Sequence, residues 1–346
     1  MVYSTGYISN LKAVSYNVAA ANKLFGKRIL ITGAAGLIGS AVVDILMCFN
    51  REAGADIRLY LAGRNYDSMK RRFEPIAKEG EDYIFCKYEA AEAVEDIFPE
   101  VDYIIHCASN SHPAAFASHP VETMLEAVNG LNNVLVHALS CNAEVLYISS
   151  SEVYGKKDLQ EPYSEDEYGY VNILNPRACY PNSKRACETL CASYIQEFGS
   201  SIKIVRPGHI YGPGITESDS RASAQFARDV LNDRDIVMKS EGRQLRSYCY
   251  FLDCASAILS VITSGTNGEA YNISNPASIV TIAELANMHA KVAGRKVVFE
   301  TPTDMEAGNY NLMSCSALKS DKLEALGWKA LYDLEKGVKE TIECLE

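Results

Sequence analysis

The sequence predicts an α/β protein: a doubly wound parallel sheet with a smaller mixed α/β lobe toward the C-terminus. Three observations predict it. Short, continuously apolar runs alternate with helically spaced segments through the first half of the 346 residues, the pattern of a parallel sheet buried on both faces. The first run ends in Gly33-Ala-Ala-Gly36-Leu-Ile-Gly39, directly ahead of a helical segment. The alternation then breaks at Gly208-His-Ile-Tyr-Gly-Pro-Gly214, beyond which helices and short strands mix.

Residues 1–26 carry no identifiable chemistry and are expected to form a short helix near 18–24 or an arm reaching another subunit. Arg28-Ile-Leu-Ile-Thr32 reads as the first strand, and residues 33–47 as its glycine turn and helix. Such a turn lets backbone N–H groups approach a pyrophosphate, with the positive end of the helix beneath it. Strands follow at 57–62, 83–87, 102–106, 144–149 and 202–206, with helices at 121–140 and 180–198. Later helices are expected at 223–231, 253–263, 282–292, 316–326 and 334–344. The expected division is an extension (1–26), a dinucleotide domain (27–207, with 248–274 returning to it) and a substrate lobe (208–247 and 275–346).

The chemistry centres on Tyr180 and Lys184, four residues apart and so on one face of a helix. An ammonium beside a phenol favours the phenolate, so the spacing predicts a pKa below the free value of about 10 and a base near neutral pH. Tyr66/Lys70, Tyr83/Lys87 and Tyr332/Lys336 share the spacing. Tyr180 alone follows a strand ending in hydroxyls, Ser149-Ser150-Ser151-Glu152, downstream of the glycine turn.

After the second strand stands Gly63-Arg64-Asn65, where NAD sites place a carboxylate for the ribose. That favours NADP slightly over NAD, with Arg71 and Arg72 one to two turns on. Cys107-Ala108-Ser109 after the fourth strand is small and polar, as a loop over a cofactor should be. His112 and His119, near prolines, are read as solvated.

A net charge of −11 argues against nucleic acid as the main partner, although Arg206, Arg243 and Arg246 are candidates for a local diphosphate site. The eleven cysteines form no C-x-x-C pair and fall in apolar or helical segments, which predicts buried thiols, no metal site and a reducing cytoplasm. No secretory signal is visible, and the apolar stretch 29–47 is broken by glycines and Asp44, fitting strand–turn–helix better than a membrane span.

Taken together, Gly33/Gly36/Gly39, Ser150-Ser-Glu-Val-Tyr-Gly155, Tyr180/Lys184, Arg206-Pro…Tyr-Gly-Pro213 and Arg246-Ser-Tyr…Asp253 resemble the extended short-chain dehydrogenase/reductase family from about Gly26 onward. These are the NAD(P)-dependent nucleotide-sugar epimerases, dehydratases and decarboxylases, built on a Rossmann fold. Asn175-Pro-Arg-Ala-Cys-Tyr180 and His106-Cys-Ala-Ser109 look most like the UDP-glucuronate decarboxylase (UDP-xylose synthase) branch. The resemblance implies that Tyr180 takes the proton of a sugar 4-hydroxyl, with Lys184 lowering its pKa and holding the nicotinamide ribose. Ser150 would bond the same oxygen, and Ser151 and Glu152 would act at C5. It further implies cofactor contacts from Gly33, Ala35, Gly36, Leu37, Ile38, Gly39, Arg64, Asn65, Cys107, Ala108, Ser109 and Pro207, and substrate contacts from Arg177, His209 and Arg246. A homodimer through helices 121–140 and 178–198 is expected.

Three positions depart from the family pattern. Ser151 stands where dehydratases carry Asp, Met313-Ser-Cys-Ser316 lacks the decarboxylase Arg, and His209 replaces a common Asn. Oxidation at C4 followed by C5 chemistry leads, a 4-epimerase or 4-keto reductase is the alternative, and a non-catalytic NADP-binding regulatory protein is the reading from another class.

Overall fold

Each of the six segments of the first 207 residues that the sequence marks as a strand joins one sheet. The computed structural model describes residues 3–90, 98–111, 113–157, 160–215, 219–301 and 313–345; His112 lies outside them. Helix α1 (Thr5–Ser15) precedes β1 (Arg28–Thr32). Then come α2 (Leu37–Ala53), β2 (Arg58–Gly63), α3 (Tyr66–Phe73), β3 (Tyr83–Lys87) and β4 (Tyr103–His106). Helices α4 (Pro113–Ser118) and α5 (Pro120–Cys141) lead to β5 (Glu144–Ile148), α6 (Cys179–Phe198) and β6 (Ile202–Pro207).

The second part opens with β7 (His209–Tyr211), α7 (Ala222–Leu231), β8 (Ile236–Met238) and β9 (Leu245–Tyr250). Helix α8 (Phe251–Ser264) and β10 (Ala270–Ile273) return the chain to the main sheet. It ends with β11 (Ile279–Thr281), α9 (Ile282–Ala293), β12 (Val297–Phe299), β13 (Cys315–Ser316), α10 (Asp321–Glu324) and α11 (Leu334–Glu343).

The main sheet has seven strands in the order β10-β6-β5-β4-β1-β2-β3, all paired in parallel. Successive strands run outward from β1 on one side and from β4 on the other, so the connections diverge between them. Loops leaving the carboxyl ends of β1 and β4 therefore part and leave a crevice, the usual ligand position in such sheets. Alternation along β1 shows why both faces must be covered: Ile29 and Ile31 join the core with α2 and α8, whereas Leu30 packs with residues of α5 and α6. A smaller sheet, β11-β9-β13 with β7 on β9, and the pair β8/β12 form the rest.

Residues 3–26 realise the expected short helix near 18–24 only as a 3₁₀ turn and place a longer helix before it. Their long helix is α1, capped by Ser4, with only a 3₁₀ turn at Ala21–Leu24, and it packs on its own chain. Tyr7, Leu11 and Val14 are buried, and Tyr7 stacks on Phe251. The reason is polar as well as apolar. Asp44, buried on α2, accepts from the hydroxyls of Tyr3 (2.9 Å) and Tyr7 (2.5 Å) and from Arg72 of α3 (2.5 Å). Arg72 also lies over the rings of Tyr3 and Phe73, so it is not the cofactor-facing cation that the sequence suggested.

Two boundaries also move. Helix α2 runs on to Ala53, where Gly54 takes the left-handed conformation (φ 58°) that ends it. The helix expected at 316–326 shrinks to α10, because residues 315–316 pair with β9 and the Leu318 N–H bonds Ser247 Oγ. All eleven cysteines are free thiols, nine of them buried. No described helix is long and apolar enough to cross a membrane.

Replacing Asp44 would strand the Arg72 guanidinium and two tyrosine hydroxyls. Asp44→Ala is expected to cost ~3–5 kcal/mol of stability, read as a lower urea midpoint at an unchanged m value.

Candidate active site

The crevice between the diverging loops is a cavity of about 670 Å³. Its floor is formed by Ile38 of α2, Cys107 and Ser109 after β4, residues 148–152 at the end of β5, and Pro207 at the end of β6. Its far wall comes from the smaller sheet and α7, including His209, Arg221, Gln244 and Arg246.

Tyr180 reaches this cavity because the chain ahead of α6 is tightly folded. Asn175 accepts a bond from the Arg177 N–H (3.0 Å), and Pro176 opens a 3₁₀ turn that runs into the helix. One helical turn on, Lys184 is 2% exposed and donates to the Ile148 carbonyl at the end of β5 (2.8 Å). Its ammonium stands 4.9 Å from the Tyr147 ring centre and 5.8 Å from that of Tyr180.

This geometry overturns the expected direction of the Tyr180 pKa. Burial and then the Glu152 charge push the phenol up to about 12; the Ser150 hydrogen bond and the charges of Arg177 and Arg221 only partly oppose them. Lys184 is not among the causes, since its own proton is weakened: burial lowers its pKa to about 8. The two groups share the face that the spacing predicted, yet both are out of water, and desolvation of the charged forms dominates.

Ser150 also caps the turn at Ser151–Tyr154, accepting from the Glu152 N–H at 3.2 Å. Ser151 is buried beside it, and the Ser149 hydroxyl is buried without a partner among the described residues. Glu152 is held by both arms of Arg177, at 3.1 and 3.0 Å. The guanidinium lies over Phe116 of α4 (4.8 Å), and Phe116 stacks on Tyr180 with ring centres 4.5 Å apart and planes 18° apart. Sequence reasoning missed Phe116. Its only signal was a large aromatic in a segment otherwise made of small and polar residues.

The candidate diphosphate cations separate. Arg246 is 3% exposed, donates to the carbonyls of Leu245 and Met313 (both 2.9 Å), and pairs with no carboxylate among the described residues. Arg206 is instead taken by Glu188 (2.6 Å) and Tyr154 (2.9 Å), and Arg243 pairs with Glu241 at the surface. Neither lines the cavity. Arg221, unforeseen in the sequence, does line it and is paired with buried Asp219.

At the other end, the turns after β1 and β4 are in contact at their base before the loops part. Gly33 has φ 66°, and a Cβ there would sit 2.8 Å from the Ala108 nitrogen, while one on Gly39 would run into the Gly33 carbonyl. The α2 N-terminus at Gly36 has no side-chain cap, leaving its first N–H groups to a ligand. These glycines, with Ala35, Leu37, Ile38, Cys107, Ala108 and Ser109, fit a dinucleotide. Arg64 is exposed after β2, and Asn65 caps α3 through Ser68 N (2.9 Å). His119 is exposed, away from the cavity lining. Among the described residues, no cluster of His, Cys, Asp and Glu could hold a metal.

A charged Lys184 with no carboxylate partner among the described residues disfavours folding. Lys184→Met is expected to raise stability by ~2 kcal/mol at neutral pH, as seen in urea melts. The gain is full below about pH 8, the folded value, and fades as pH approaches 10.5, the ordinary one.

Comparison with known proteins places these features in context. The model of the NAD dependent epimerase/dehydratase family matches residues 29–274. UDP-glucuronic acid decarboxylase 1 of Xenopus tropicalis is 31% identical over 320 residues, spanning 91% of this chain and 71% of that protein. Two solved structures share the fold. UDP-glucose 4-epimerase of Thermotoga maritima, with UDP-glucose, has a TM-score of 0.78 at 22% identity over 92% of this chain and 98% of that one. The dTDP-glucose 4,6-dehydratase of Streptomyces venezuelae, with NAD bound, has 0.79 at 22% over 92% and 96%.

Proposed function

This chain belongs to the NAD dependent epimerase/dehydratase family, and from that premise we propose that it oxidises a UDP-uronate at sugar C4 and then decarboxylates it at C5. The observation that carries the reading is the meeting of two functions in one cavity: a phenol, Tyr180, lining it with Ser150, and a carboxylate, Glu152, whose charge acts on that phenol.

Tyr180 takes the proton of the 4-hydroxyl, with Ser150 bonded to the same oxygen. Lys184 keeps α6 against β5, so that the phenol faces the substrate, and holds the nicotinamide ribose. A bound dinucleotide supplies hydride acceptance from C4 and its later return. Once C4 is a ketone, the C5–carboxylate bond breaks and its electron pair passes to the C4 oxygen, releasing carbon dioxide. Glu152, fixed by Arg177 and beside Ser151, directs the proton that C5 then receives. Arg246 and His209 face the diphosphate, a task suited to a guanidinium fork.

A 4-epimerase or 4-keto reductase is the second reading. It is favoured by Arg177 occupying both Glu152 oxygens, since those reactions need no group at C5. A regulatory NADP-binding protein would have no use for a buried phenol in the same cavity as a serine and a carboxylate.

NADP is slightly favoured, because Gly63-Arg64-Asn65 offers no carboxylate to a ribose and leaves Arg64 exposed; Arg72 takes no part. NAD, bound in the Streptomyces structure, is the alternative. A homodimer is supported by the apolar stripe of α5, where Val121, Leu125, Val136 and Leu139 recur at helical spacing and are exposed. Free thiols throughout suit a cytoplasmic location.

Incubation with UDP-glucuronate and either dinucleotide should give UDP-pentose and carbon dioxide, resolved by chromatography; interconversion with UDP-galacturonate alone would mark an epimerase. Tyr180→Phe should bind the dinucleotide and lose turnover by about a thousandfold or more. Glu152→Gln should complete the first oxidation and stall, with absorbance of reduced cofactor accumulating, and an undiminished pentose yield would remove Glu152 from the mechanism. Arg64→Ala should weaken NADP about tenfold and leave NAD unchanged, as measured by fluorescence titration.

A further inference from the structure

The far wall of the cavity carries one titratable group that the scheme above uses only as a contact. His209 begins β7, in register with Tyr248 of β9. Arg246 lies two residues before Tyr248 and so on the same face of that strand. The imidazole packs against the Tyr248 ring (5.6 Å between centres), lines the cavity, and has its Nδ1 buried with no partner among the described residues. Gln244, two further residues back, also lines the cavity and leaves its side-chain oxygen buried and unpaired among the described residues.

Charge on this wall is unbalanced. Arg221 at the head of α7 is neutralised by Asp219, Arg177 across the cavity by Glu152, and Lys239 faces Glu300. Among the described residues, Arg246 alone on this wall lacks a carboxylate, and a sugar diphosphate brings two negative charges. One cation beside two anions leaves room for a second positive charge, and His209 is the titratable group placed to carry it.

We propose that His209 takes up a proton when the diphosphate of a nucleotide sugar binds beside Arg246, so that substrate recognition is linked to this one histidine. Without ligand the imidazole is neutral: burial lowers its pKa to about 3, and the Arg246 and Arg221 charges push the same way. A diphosphate reverses the local field by cancelling Arg246 and adding a negative charge, which favours the imidazolium. Affinity then falls as pH rises through the pKa of the bound state. The inference rests on the nucleotide-sugar reading of the cavity.

The probe is UDP-glucose, whose two phosphates each keep a single charge across neutral pH, with dTDP-glucose as a second nucleotide. Calorimetric titration of the whole protein in buffers of different ionisation enthalpy reads proton uptake directly. The expected result is uptake of close to one proton and roughly tenfold tighter binding near pH 6 than near pH 8. His209→Asn and His209→Gln, which keep a hydrogen-bonding amide, should bind with no uptake and no pH dependence. Binding by the wild type without proton uptake, or uptake retained in both variants, overturns the inference and leaves the functional reading intact. Failure of both nucleotide sugars to bind overturns the two together.

Discussion

A single buried contact sets the geometry on which the rest depends: the Lys184 ammonium donating to the Ile148 carbonyl. It ties helix α6 to the carboxyl end of β5, one helical turn below Tyr180, and so turns the phenol toward Ser150. The contact is expensive, because an ammonium 2% exposed has lost its water and gains only a carbonyl and the Tyr147 ring. A chain selected for stability alone would place an apolar residue there. That cost is sensible only where a charge is needed within the cavity, next to a phenol and beneath a ligand.

The same economy recurs around the site. Arg177 satisfies Glu152 and covers Phe116, and Phe116 stacks on Tyr180, so the carboxylate and the phenol cannot shift independently. On the outer side, Asp44 gathers Tyr3, Tyr7 and Arg72, binding the N-terminal helix to the helix whose first turn cradles the dinucleotide. Both clusters join segments far apart in sequence, and both fix a helix whose N-terminus faces the crevice.

Much of this was legible in the chain. Parallel strands buried on both faces are continuous apolar runs, so β1 and β5 could be read to within a residue. The glycine turn was equally plain, because the close approach of Gly33 to Ala108 admits no side chain. The sign of the Tyr180 shift was not legible. Sequence spacing reports that two groups share a helical face, but not how much water each has lost, and here that loss sets the direction for both. Partners distant in sequence were hidden for a related reason. Arg72 and Arg206 look like free cations until folding brings Asp44 and Glu188 to them. Phe116 was invisible because its role depends on a short helix that nothing in its neighbours signals.

Burial holds Tyr180 protonated in the protein alone, and we infer that the positive charge of a bound oxidised nicotinamide would lower its pKa toward the working range. An ultraviolet difference titration of the wild type against Tyr180→Phe, without and with NAD, measures that ionisation directly. A phenolate should appear near pH 12 in the protein alone and at markedly lower pH once the dinucleotide is bound. Ionisation at or below the ordinary phenol value of about 10 in the protein alone would contradict this expectation.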